Sequence, residues 1–171
     1  MAKRISLREF QEGVVARLKS IGGGEAAPSK LGIQVGAGHW LVDLTDVSEV
    51  APVPPIAGVP LTHSWFKGVS NVRGNLFSIV DLPSYLGEEP VRLNLSSRLL
   101  LIHHRHIVNS ALLVNRMLGL RNIESMQLTT EPDADRPWIG AGYKDESGRD
   151  WRELNVPLLV QQLQFLQVGT V

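Results

Sequence analysis

Apolar positions alternate with polar ones through most of this chain, and the alternation is short and repeatedly broken. Leu31, Ile33 and Val35 recur at every second residue, Gly36-Ala37-Gly38 turns, and Trp40 to Leu44 returns, which predicts a hairpin. Val47 to Val53 reads as another extended piece, and the prolines at 52, 54, 55 and 60 make the stretch up to His63 a loop. A second hairpin is predicted over residues 66–82, with Gly74-Asn75 as its tight-turn pair and Pro83 ending the ladder. The polar residues Asn71, Arg73 and Asn75 crowd its tip.

Residues 88–96 are a polar connection. Arg98 to Ile102 and Ile107 to Val114 are apolar strands joined by His103-His104-Arg105-His106, and Met117 to Leu120 continues extended. Residues 122–137 read as irregular, and Trp138 to Lys144 with Asp150 to Leu154 as a last hairpin. Helical spacing occurs only at the ends. Leu7, Phe10, Val14, Leu18 and Ile21 share one face of a helix over 6–21, with Ser6 and Glu9 at capping-box spacing. Gly22-Gly23-Gly24 ends that helix and opens a linker. Pro157 starts a closing helix carrying Leu158, Leu159, Leu163 and Leu166. About nine strands without regular helical crossovers predict a mainly β fold, for which small barrels are a natural solution because closure removes free edges.

Composition narrows what such a fold does. The net charge is zero, which disfavours nucleic acid and anionic membrane as main partners. There is no cysteine, so disulfides, thiolate metal sites and cysteine nucleophiles are excluded. Charged residues interrupt the start of the chain, which argues against an export signal, and no run approaches the ~18 apolar residues of a membrane span. No phosphate loop, nucleophile elbow or metalloprotease helix is present. Asp43, Asp46, Glu49 and Asp81 are candidate paired carboxylates that no spacing singles out. The His103–His106 cluster reads as a solvated turn, and Asp133-x-Asp135 as a loop lacking the glycine and glutamate of a calcium site. The reading is therefore a protein without catalytic, cofactor or metal residues. A generic β-barrel peptide- or ligand-binding module, and more remotely a small carboxylate- or histidine-dependent hydrolase, stand as alternatives.

Arg73 is the first candidate for chemistry. Its fork suits a partner carboxylate. Gly68 and Gly74 fit special backbone geometry, and Val47, Val69 and Val72 fit either a core or a partner groove.

The run Phe66-Lys67-Gly68-Val69-Ser70-Asn71-Val72-Arg73-Gly74-Asn75, followed by Ile79-Val80-Asp81-Leu82, resembles the signature of the CheW family of chemotaxis coupling proteins. Val47-Ser48-Glu49-Val50 and Leu112-Leu113-Val114-x-x-Met117-Leu118-Gly119 resemble two more of its segments, in the right order. Asn115 departs from the acidic residue common there, and the N-terminal helix and proline-rich loop 51–60 depart from ordinary members. Those additions, with Trp138-Ile139-Gly140 and Trp151, are similar to the branch serving type IV pili and twitching motility.

The resemblance spans about residues 30–168 and implies two SH3-like five-stranded barrel lobes, about 31–87 and 97–155, with a closing helix over 156–166. Residues 1–29 are then an N-terminal helix and linker. It implies a cytoplasmic adaptor, recruited to receptor arrays at the inner membrane, that joins the tip of a methyl-accepting receptor to the regulatory domain of a histidine kinase. The implied contact residues are Val47, Gly68, Val69, Asn71, Val72, Arg73, Val114 and Met117. Glu49, on a neighbouring strand in the resembled fold, becomes the expected internal ion-pair partner of Arg73.

Overall fold

The structure is a computed structural model that describes residues 29–170. The helix expected over 6–21 lies outside the described residues. Strand β1 (Ser29–Val35) turns through Gly36 and Ala37 into β2 (Gly38–Asp43), in register from Lys30 opposite Asp43 to Val35 opposite Gly38. The chain then crosses to a second sheet for five strands and returns to the first. One holds β3 (Val47–Pro52), β4 (Phe66–Val72), β5 (Asn75–Asp81), β6 (Arg98–Ile102) and β7 (Ser110–Val114), in the order β3-β6-β7-β5-β4. The other adds β8 (Arg116–Asn122), β9 (Gln127–Thr130), β10 (Ile139–Lys144) and β11 (Asp150–Leu154) to the first hairpin, in the order β8-β1-β2-β11-β10-β9. The mainly β fold expected from the sequence is thus built as two sheets, one of five strands and one of six.

The sheets do not divide the chain near residues 87 and 97, where the lobe limits were expected. The first hairpin leaves its sequence neighbours to pair with β8 on one side and, in parallel, with β11 on the other. A parallel pairing has no tight turn to mark it, so local pattern does not reveal it. Strand β9 also went unread, because its four residues are all exposed and carry no apolar alternation.

One large core fills the space between the sheets. Leu31, Ile33 and Val35 of β1 and Trp40 and Val42 of β2 share it with Leu100 and Ile102 of β6 and Leu112 and Val114 of β7. The intervening residues Leu99, Leu101, Ala111 and Leu113 turn to the opposite face of the five-stranded sheet and form a second core with Val72, Ile79 and Val91. Strands β6 and β7 are therefore buried on both faces, which is why they read as continuous apolar runs.

Asp81 ends β5 and caps a single helical turn, α1 (Leu82–Tyr85), accepting from Ser84 N–H at 3.0 Å. Pro83 sits in its first turn, where the missing N–H costs nothing. The closing helix expected over 156–166 is instead two single turns, α2 (Val156–Leu159) and α3 (Leu163–Leu166). The buried residues are Val156, Leu159 and Phe165, while Leu163 and Leu166 are exposed. Phe165 falls off the helical stripe that Val156 and Leu159 begin, so the chain resets through an extended Gln162 to bring it inward.

The β10–β11 turn is held by Asp145, whose carboxylate accepts from the Ser147 hydroxyl at 2.7 Å, Trp151 Nε1 at 2.8 Å and Arg149 N–H at 2.9 Å. These bonds, from Ser147 first and Trp151 next, hold its carboxyl well below the usual carboxylate range. A carboxyl depressed below its unfolded value of about 3.9 adds stability above that pH and loses it as pH falls through the folded value. Asp145→Asn is expected to lower the melting temperature near pH 7, and by a smaller margin near pH 3, in paired thermal melts.

Candidate partner-binding surface

The β4–β5 hairpin closes one residue earlier than the sequence pattern indicates. Val72 faces Asn75, so the two turn residues are Arg73 and Gly74, with φ of 52° and 85°. Two consecutive positive φ values define the type I′ turn that matches strand twist, and the Asn71 side chain supports it by accepting from Gly74 N–H at 2.8 Å. Arginine is a costly residue for that first position, since the left-handed region costs a side chain other than Gly, Asn or Asp roughly 1–2 kcal/mol.

From this tip the Arg73 guanidinium reaches Glu49 of β3 at 2.6 Å. The Glu49 side chain is mostly covered, while 59% of the Arg73 side chain remains accessible. With the arginine that open, the pair is worth about 0–1 kcal/mol to the fold. The structure therefore brings Arg73 and Glu49 together while leaving the guanidinium on the surface beside Asn71.

The other sequence candidates separate by burial. Val47, Val72 and Val114 are buried, Val47 and Val114 in the inter-sheet core and Val72 in the second core. Val69 and Met117 are half-buried and pack against the inter-sheet core. Gly68 sits at a register shift in β4 with φ of 130°, and its Cα faces the chain's own proline-rich segment. A Cβ there would lie 2.0 Å from Ala57 O. The segment runs along β4, the end strand of its sheet, through Ala57 N–H to Val69 O at 2.8 Å and Val69 N–H to Ala57 O at 2.9 Å. The Ser70 hydroxyl adds a bond to Pro55 O at 2.7 Å. Further on, His63 N–H donates to Val168 O, and Thr170 N–H to Leu61 O. Prolines mark this stretch as a loop, but nothing local in the sequence tells which edge it covers.

The four candidate carboxylates are dispersed, each beside its own cation. Asp43 meets Lys30 at 3.3 Å, Glu49 meets Arg73, and Asp81 meets Lys67 at 3.7 Å. Buried Asp46 accepts from Arg105 Nη2 and lies 2.9 Å from His106 Nε2. The His103–His106 turn is thus anchored on a carboxylate sixty residues away in sequence, rather than left in solvent throughout. Asp133 serves its own loop, accepting from the Asp135 and Arg136 N–H groups and pairing with the Arg136 side chain. Among the described residues no group of three His, Cys, Asp or Glu side chains is placed to hold a metal ion, and no helix is long and apolar enough to cross a membrane.

An Asn-Val-Arg-Gly tip braced on a two-sheet body defines a class of protein, and the match is direct: residues 30–164 fit the CheW-like domain, and the chain belongs to that family. Protein PilI of Pseudomonas aeruginosa is 30% identical over 145 residues, covering 82% of this chain and 80% of the relative. The crystal structure of the scaffolding protein TtCheW from Thermoanaerobacter tengcongensis superposes with a TM-score of 0.66 at 17% identity, over 81% of this chain and 95% of that one, a likeness of fold.

Proposed function

We propose that the chain is a non-catalytic adaptor of a chemosensory pathway, joining a methyl-accepting receptor tip to the regulatory domain of a histidine kinase in control of type IV pilus twitching motility. Membership of the CheW-like family and the likeness to PilI support this reading. It places the protein in the cytoplasm, held at receptor arrays by its partners. The observation that carries the contact site is the unfavourable choice of arginine at a left-handed turn position where its stabilising ion pair is weak. A residue that costs about 1–2 kcal/mol in the turn and returns about 0–1 kcal/mol through Glu49 has its use outside the fold. Asn71, on the same hairpin, would flank it, and the cations beside each carboxylate give those acids structural rather than catalytic work.

The Arg73→Asn variant separates fold from function, because Asn-Gly is the preferred pair for this turn. It is expected to melt at or slightly above the wild-type temperature and to weaken co-sedimentation with a receptor cytoplasmic fragment and kinase regulatory domain at least tenfold. Wild-type assembly by the variant would remove Arg73 from the contact. Failure of the wild type to bind either partner at tens of micromolar would overturn the adaptor reading.

A further inference from the structure

Two stretches far apart in sequence meet at the surface. Residues 50–66 and 154–170 contain no Asp, Glu, Lys or Arg. They join where His63 N–H donates to Val168 O and Thr170 N–H to Leu61 O. The joined stretches expose Val59, Leu61, Leu163 and Leu166. Leu163 and Leu166 stand three residues apart on α3 and so share one side of that turn, while Phe165 is buried. Leu61 holds a φ of 58°, a left-handed conformation that sterics disfavour for leucine. Gln161, Gln164 and Gln167 around α3 are exposed as well. A face made for water mixes charges among its apolar atoms, and this one has none to mix.

The start of the chain is delivered to the same region. Lys30 of β1 meets Glu153 of β11 at 3.3 Å and lines one cleft with Asn155 and Pro157, at the head of α2. Ser29, where the described residues begin, therefore lies beside the segment that leads into α3. The six steps from Pro157 to Leu163 span no more than about 22 Å. The eight steps from Ile21 to Ser29, through Gly22-Gly23-Gly24, span up to about 28 Å, so residues before the linker reach α3.

We propose that residues 6–21 of the same chain, which lie outside the described ones, cover this face by laying their apolar stripe on Leu163 and Leu166. The stripe is Leu7, Phe10, Val14, Leu18 and Ile21. At helical spacing Arg8, Glu9, Glu12 and Lys19 fall on other sides of the segment, and Arg17 falls at the border of the stripe. An apolar stripe needs no opposite charge from its seat, and the seat offers none. A short flexible tether holds the stripe at roughly millimolar effective concentration, which favours it over a second copy or a free partner at micromolar levels. The cover is separate from the receptor and kinase contacts proposed for the Arg73 tip.

The test is cross-linking within the full chain, where the absence of cysteine keeps the background clean. A short bismaleimide is added to a Val14→Cys/Leu163→Cys double variant at low micromolar concentration, and the products are read by gel mobility and mass. Linkage within one chain is expected at least tenfold faster than in two controls. One is Val14→Cys/Leu95→Cys, whose leucine lies on the 88–96 connection and is 96% accessible against 72% for Leu163. The other is Glu12→Cys/Leu163→Cys, which turns the opposite side of the segment to α3. Phe10→Glu/Leu18→Glu added to the Val14→Cys/Leu163→Cys protein should bring its rate down to that of the controls. Val14→Cys/Leu166→Cys repeats the comparison if Leu163→Cys disturbs α3. Rates equal to the controls, linkage between copies in place of linkage within one, or a preference that survives Phe10→Glu/Leu18→Glu overturns the proposal.

Discussion

Gly68→Ala is expected to destabilise the protein by about 3 kcal/mol or more, through a combination of backbone strain and steric collision. Its φ of 130° lies where side chains are strained, and the new Cβ would arrive 2.0 Å from Ala57 O. That obstacle is a backbone carbonyl already engaged in a bond from Val69 N–H, so no rotamer change relieves it. Residues 53–63 must then lift from β4, losing both Ala57–Val69 bonds and the Ser70–Pro55 bond. Urea denaturation gives the stability change, and amide exchange at Val69 reports the detachment. Wild-type protection at Val69 in the variant would show that the segment is not held by this close approach.

Asp81→Ala ranks beside it, at an expected cost of about 2–4 kcal/mol, combining a lost cap with an orphaned buried donor. The side chain is fully buried and accepts from two backbone groups, Ser84 N–H at 3.0 Å and Val91 N–H at 3.0 Å. The first bond caps α1 and the second ties the 88–96 connection to the second core, where Val91 packs. Lys67, 3.7 Å away and partly exposed, regains water when the carboxylate goes, so the loss is chiefly that of the two backbone bonds. Asp81→Asn retains one acceptor oxygen and should recover part of the stability. Equilibrium unfolding compares the three, and equal losses for Ala and Asn would show that the charge rather than the acceptors matters.

Much of this architecture was legible locally. The alternation of Leu31, Ile33 and Val35 gave β1, and the unbroken Leu99–Ile102 run gave an apolar strand, whose burial on both faces the structure adds. The hairpin tip was located within one residue. The error had a definite cause: Gly74-Asn75 is a good turn pair by composition, and only the Val72–Asn75 pairing shows that the left-handed positions fall on Arg73 and Gly74. What the sequence hid were contacts between distant segments. The bond from His106 to Asp46, the cover of Ala57 on Gly68 and the parallel pairing of β2 with β11 leave no periodic trace. The Arg73–Glu49 pair was anticipated only through family resemblance, which supplied the neighbourhood of strands that spacing could not.

The parallel register of Arg152 with Trp40 has a consequence for biosynthesis. Among the described strands, the first hairpin is a central part of a sheet whose other members are the last four in sequence. Until Asp150–Leu154 leaves the ribosome, β2 lacks one neighbour, and the apolar side of that hairpin lacks Trp138, Ile139 and Leu154. Closing so long a loop is slow relative to local pairing. Completion of this sheet therefore waits on synthesis of its most distant strands, and a nascent chain halted before Trp138 carries an unfinished core.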